Sequence, residues 1–232
     1  MQIQDIEKAS KEKKNRIEIV PAILKNVFRD VEECVSQVVG TTKYIQIDIC
    51  DGVFSNRKTW LPDDKFIISI NETGMPNWQD VEYECDLMVV DYIKYIELAK
   101  EMGASRVVCH LEKLSDIETA SALVRKYDIS FGLVTNDREV LDQAIKNGFV
   151  DYVQIMGIEH IGRQGEPFRT STVEDIAFVK SLDTNIIIQI DGAMNDQTIQ
   201  ICKLSGATRF VAGSFIFKSN NPTETIRNLK RI

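Results

Sequence analysis

Three aspartates stand where the chain is otherwise apolar. Asp48 lies near the end of the run KYIQIDI (43–49), Asp86 lies inside EYECDLM (82–88) and Asp191 closes NIIIQID (185–191). A carboxylate inside a buried strand needs a proton, a cation or a hydrogen-bond donor to offset its lost hydration. Strand side chains alternate, so Gln46, Asp48 and Cys50 share one side of their run. Glu84, Asp86 and Met88 do the same in theirs, as do Gln189 and Asp191. If those sides turn inward in a common sheet, three acids from three distant segments meet. Such a cluster can move protons or hold a cation.

A second pattern suits an anion. Gly162-Arg163-Gln164-Gly165 follows one predicted strand, Gly192 follows the next, and Gly213-Ser214 follows the last. Glycines let the backbone approach a phosphate and present N–H groups to it. Each alone is an ordinary turn residue; three at the ends of neighbouring strands point to a phosphate site, with Arg163 as a direct charge.

The elements that must position these residues alternate along the chain. Strands are predicted at 16–21, 43–49, 82–88, 106–111, 129–135, 151–157, 185–191 and 209–213. Helices are predicted at 26–39, 91–102, 116–127, 137–147, 172–182, 195–205 and 222–231. Ser115-Asp116, Thr135-Asn136-Asp137 and Asn195-Asp196 read as helix starts, and Gly103, Gly148 and Gly206 as helix ends. Between Ser55 and Asp80, Pro62, Gly74 and Pro76 break the rhythm, so this stretch reads as an irregular loop with one short helix or strand. The first dozen residues read as an extra helix, giving an N-terminal extension (1–15) before one domain (16–232).

Eight strands alternating with helices fit a (β/α)8 barrel, whose active site lies at the C-terminal strand ends. That face would carry Asp48, Asp86, His110, Asn136, Met156 and Asp191. A doubly wound sheet would need a glycine-rich turn after the first strand. The chain has Pro21-Ala22-Ile23-Leu24 there, so that fold loses.

The 232 residues are 44% hydrophobic and 27% charged, with a net charge of −7. An acidic chain does not favour nucleic acid or anionic membranes as partners. No apolar run is long enough to span a membrane, and the N-terminus lacks a signal-peptide core. Cys34, Cys50, Cys85, Cys109 and Cys202 show no metal-ligand spacing and read as buried free thiols. A cytoplasmic location is the expectation.

Read in order, IVPAIL (19–24), IQIDICDGVF (45–54), ECDLMV (84–89), VCHLE (108–112), VQIMGI with GRQGEPF (153–168), IQIDGA (188–193) and FVAGSFIF (210–217) resemble the ribulose-phosphate 3-epimerase family. The resemblance implies a ribulose-phosphate-binding TIM barrel and an isomerase that moves a proton at C3 of a ketose phosphate, as in pentose phosphate metabolism. It implies Asp48 and Asp191 as the acid/base pair, a divalent metal, and a homo-oligomer. His110 and Glu112 match the family's His-x-Glu pattern.

The chain departs from that family at several points. Gln46 and Asp86 stand where the family has metal-binding histidines, Ala22 replaces a serine and Cys50 a methionine. The family's Asn-Pro-Gly-Phe-Gly-Gly-Gln loop has become Glu159 to Gly165. A retained metal would have Gln46, Asp48, Asp86 and Asp191 as ligands, an oxygen set that favours Mg²⁺ or Mn²⁺ over Zn²⁺. The alternative is a catalytically degenerate barrel that binds or scaffolds a sugar phosphate. A related aldolase and decarboxylase group uses Asp-x-Lys-x-x-Asp on the third strand; Glu84 to Val89 contains no lysine, which disfavours that chemistry.

Overall fold

The structure is a computed structural model and describes residues 17–163 and 165–232. The expected N-terminal extension and Gln164 lie outside the described residues. Eight parallel strands close in the order β1 to β8: Glu18–Ile23, Tyr44–Cys50, Glu82–Met88, Ala104–His110, Ser130–Val134, Tyr152–Met156, Ile187–Asp191 and Arg209–Ala212. The helices are α1 (Phe28–Val38), α2 (Asp64–Thr73), α3 (Tyr92–Glu101), α4 (Leu114–Lys126), α5 (Arg138–Lys146), α6 (Thr172–Leu182), α7 (Asp196–Ser205), α8 (Ser214–Phe217) and α9 (Pro222–Leu229). The expected TIM barrel is therefore present. Among the described residues no helix is long and apolar enough to cross a membrane.

The strand alternation sorts the core into two parts. Ile45, Ile47, Ile49, Cys85, Leu87, Cys109, Phe131, Leu133, Ile188 and Ile190 belong to one buried apolar cluster shared with helix residues such as Val35, Ile96, Ile117 and Ile199. The opposite strand faces fill the barrel, and they are largely polar. By register, the lowest layer is Tyr44, Arg106, Tyr152 and Arg209, followed by Val20, Glu84, Gly132 and Gln189. Gln46, Val108, Gln154 and Val211 come next, then Ala22, Asp86, Val134 and Asp191, with Asp48, His110 and Met156 at the mouth. Each layer draws on alternate strands, as closure of an eight-stranded barrel requires. Gly132 is small because a Cβ there would lie 2.3 Å from the Tyr152 ring.

Two expected elements shift, and the irregular stretch keeps its one short element, a helix. The first strand continues past Pro21 to Ile23, because Ala22 and Ile23 pair with Gln46 and Ile47 of β2 even though proline supplies no ladder N–H. The irregular stretch contains a ten-residue helix, α2, capped by Asp63, whose side chain accepts from Phe66 N at 2.8 Å. Packing of Phe66 and Trp60 on Phe28 fastens this helix despite the flanking Pro62 and Gly74. Helix α4 starts at Leu114, so Ser115 and Asp116 sit in its first turn instead of capping it. There Asp116 suits the positive end of the helix dipole. Asp137 and Asn195 cap α5 and α7 as the sequence suggests. All five cysteines are buried and free.

Candidate active site

The site rests on a ladder of polar side chains inside the barrel. At the bottom, Glu18 Oε2 pairs with Arg209 Nε at 2.7 Å and with Arg106 Nη1 at 3.0 Å. Arg209 also donates to Gln189 Oε1 at 3.3 Å. With its oxygen turned to that guanidinium, Gln189 directs its nitrogen upward. Nε2 lies 2.7 Å from Glu84 Oε1, 2.7 Å from Gln154 Oε1 and 3.4 Å from Gln46 Oε1. Tyr152 donates to the other oxygen of Glu84 at 2.8 Å.

This polarity fixes what the two upper glutamines offer the acids. The oxygens of Gln46 and Gln154 face Gln189, so their amide nitrogens face the mouth. Gln46 Nε2 donates to Asp48 Oδ1 at 2.8 Å and to Asp191 Oδ2 at 2.9 Å. Gln154 Nε2 donates to Asp86 Oδ2 at 2.9 Å. His110 Nε2 is hydrogen-bonded to the remaining Asp86 oxygen at 2.7 Å. Gln46 thus presents its amide hydrogens to the two acids.

Asp48, Asp86 and Asp191 each place a carboxylate oxygen within 4.8 Å of the others. Two full charges about 5 Å apart repel by roughly 3 kcal/mol at an effective dielectric of 20. Burial pushes the Asp48 carboxyl up to about 8, the Asp86 charge adds to the rise, and the Gln46 bond opposes it. Asp191 is held well above the usual carboxylate range by burial and by its two acidic neighbours. Burial likewise raises Glu84, with Arg209 opposing. Burial, with Asp48 and Asp86 adding to it, pushes the Cys50 thiol up to about 12. Asp86 is fully buried, whereas Asp48 and Asp191 keep part of their surface on the cavity above. Three carboxylates form an all-oxygen donor set, which fits a hard divalent cation.

That cavity has a volume of about 340 Å³ and brings both sequence patterns together. Asp48 and Asp191 form its floor; Gly162, Arg163, Gly165, Gly192, Gly213 and Ser214 line its walls. At Gly192 φ is +103°, and a Cβ would meet Ile158 at 2.8 Å. The turn after β7 thus needs glycine both for its conformation and for space. Gly157 N–H donates to Asp191 O at 2.6 Å, which fastens the end of β6 to the strand that carries the acid. Arg163 is more than half exposed, with Nη1 3.8 Å from Glu166.

Not every residue singled out in the sequence joins the cluster. Glu112 turns away and accepts from Thr135 Oγ1 at 2.7 Å and from Asn136 Nδ2 at 3.0 Å. It orders the loop before α5, and Asn136 goes with it. Conversely, Gln154, Tyr152 and Arg209 escaped the sequence reading. Gln154 shares the inward side of its strand with Met156, and that spacing was the available signal.

A sequence profile of the ribulose-phosphate 3 epimerase family matches residues 18–217, a span that holds every strand of the barrel. The chain belongs to this family. It is similar to the ribulose-phosphate 3-epimerase of Chlamydia pneumoniae, 28% identical over 185 residues and 77% of each chain. The ribulose-phosphate 3-epimerase of Schizosaccharomyces pombe is 22% identical over 216 residues, covering 91% of this chain and 92% of the relative. Among solved structures, KGPDC from Streptococcus mutans superposes with a TM-score of 0.68 at 12% identity, covering 93% of this chain and 96% of that one. The 3-hexulose-6-phosphate synthase from Salmonella typhimurium gives a TM-score of 0.68 at 13% identity, covering 93% and 97%. At such identities these two structures speak for the fold alone.

Proposed function

We propose that the protein is an isomerase that moves a proton at C3 of a small ketose phosphate, with Asp48 and Asp191 as the acid/base pair. The observation that carries this reading is that both acids open onto one cavity walled by the glycine turns after β6, β7 and β8. Epimerisation next to a carbonyl needs one ionised carboxylate to take the proton and one protonated carboxyl to return it. Burial and mutual repulsion raise both carboxyls above the ordinary range, which favours one acid keeping its proton beside an ionised neighbour. Asp48 comes from β2 and Asp191 from β7, so they reach the cavity from different sides of the barrel. Gln46 donates to both and keeps their spacing fixed.

Asp48, Asp86 and Asp191 would hold a divalent metal, with Mg²⁺ or Mn²⁺ favoured over Zn²⁺ by the all-oxygen donors. Such an ion would supply positive charge to the developing enediolate. The phosphate of the substrate would lie against the Gly162–Gly165 loop, Gly192, Gly213 and Ser214. A cytoplasmic homo-oligomer completes the reading.

The test is solvent exchange. In deuterated water with Mg²⁺ or Mn²⁺, the protein is expected to exchange the C3 proton of a ketopentose or ketohexose phosphate. Asp48→Asn or Asp191→Asn should slow this by about 10²–10⁴-fold. Absence of exchange with every divalent ion tried would leave the second reading, a non-catalytic sugar-phosphate-binding barrel. The observation favouring that reading is the donor orientation of Gln46, which satisfies the acids without a cation.

A further inference from the structure

The loop after β2 carries a cation that the cavity floor does not use. Its base is well tied. Asp51 Oδ1 accepts from Val53 N at 2.7 Å and Phe54 N at 2.8 Å, and its Oδ2 accepts from Val90 N at 2.8 Å. Thr59 N–H donates to Cys50 O at 3.1 Å, and Cys50 N–H donates to Thr59 Oγ1 at 2.9 Å, so the segment leaves and rejoins the barrel at one place. Its tip lies over the mouth, with the Phe54 ring edge-on to His110 at 5.5 Å. Gly162 of the β6 loop packs against this tip: a Cβ there would stand 3.2 Å from Arg57 Cβ.

Between the two loops is a second hollow of about 850 Å³, lined by Arg57, Phe54, His160 and others. It shares Leu24, Gly162, Arg163 and Glu166 with the cavity over the acids, so one ligand can extend from one into the other. Glu166 is already engaged, 2.9 Å from His160 and 3.8 Å from Arg163. Glu159 also lines the hollow and is exposed. Among the described residues no carboxylate lies within ion-pair distance of Arg57, and its Nε is buried without a hydrogen-bond partner.

We infer that Arg57 forms an anion subsite at the outer end of the cavity, and that the substrate carries a second oxyanion there, a carboxylate or a second phosphate. This rests on the reading of the cavity as a ketose-phosphate site, with the first phosphate at the β7 and β8 turns. A guanidinium fork matches the oxygens of either group, and Arg57, which lines the hollow without a paired carboxylate, has its charge left to offer. The neutral hydroxymethyl end of a ketose monophosphate offers no such charge.

The experiment is calorimetric titration of the full chain and of Arg57→Met, which keeps the apolar stem. The ligands are a ketopentose 5-phosphate, its 1,5-bisphosphate, and a pentulosonic acid phosphate with the carboxylate at the end opposite the phosphate. The wild type is expected to bind at least one doubly anionic ligand about 10-fold or more tighter than the monophosphate, the scale of a hydrogen-bonded charge. The two doubly anionic arms tell carboxylate from phosphate. In Arg57→Met the ratio of affinities should fall to about one, and Arg57→Lys should recover it only in part. Equal affinities in the wild type, or a preference that survives in Arg57→Met, overturns the subsite. If the monophosphate binds and the ratio is flat, only the subsite fails; if no sugar phosphate binds, the reading of the whole cavity fails with it.

Discussion

Gln46 donates its amide to Asp191 across the barrel at 2.9 Å, from a position 145 residues earlier in the chain. The same nitrogen serves Asp48, so one neutral side chain holds both proposed reacting acids. Gln46→Leu keeps the volume roughly and removes the donor. Because two buried acids lose a partner, the variant should unfold about 1–3 kcal/mol more easily in urea. Unchanged stability would mean that the bridge is incidental.

The raised acids make stability depend on pH in a defined direction. Asp48 titrates near its ordinary value in the unfolded chain and near about 8 in the folded protein. Between about pH 4 and about pH 8 the folded state keeps a proton that the unfolded state has released. The contribution is therefore complete below the lower value and is lost as pH rises through the upper one. Asp191 acts in the same sense. In chelator, unfolding free energy should fall with pH more steeply for the wild type than for Asp48→Asn. Parallel slopes would show that Asp48 has an ordinary carboxyl.

Asp86 is oriented by two hydrogen-bond partners, His110 and Gln154. If Asp86 helps to hold a cation, loosening it should weaken the ion. His110→Ala is expected to lower Mn²⁺ affinity by about 10–100-fold, read by calorimetry or by paramagnetic resonance of free Mn²⁺. Affinity equal to that of the wild type would remove Asp86 from the ligand set.

Gly132 makes room for the ring of Tyr152, whose hydroxyl supports Glu84. Gly132→Ala should cost about 1–3 kcal/mol through overpacking. Combining it with Tyr152→Leu should cost less than the sum of the two single changes, because the space is then available. Strict additivity in thermal unfolding would contradict the contact.

Much of this was legible in the chain. Asp48, Asp86 and Asp191 stood out because a charge in an apolar strand has few bland explanations, and the register of β2, β3 and β7 does bring them together. The glycine turns were legible because neighbouring strand ends in a barrel share one rim. The orientation of Gln46 was not. An amide carries a donor and an acceptor of similar shape, and which one faces the acids is decided by Gln189, from a strand 143 residues away. Gln189 in turn is oriented by Arg209. Pro62 and Gly74 left open whether the short element between Ser55 and Asp80 is helix or strand; the aromatic contact of Phe66 with Phe28 fastens it as α2.

The ladder from Glu18 to Asp191 has a consequence for how this barrel can diverge. A greasy interior accepts one substitution at a time, since neighbouring methyl groups are roughly interchangeable. Here each inward polar group completes the valence of another, so a lone replacement strands its neighbour. Histidines installed at positions 46 and 86 would meet a scaffold wired for amides. A change at one rung is therefore expected to need a matching change at its neighbour.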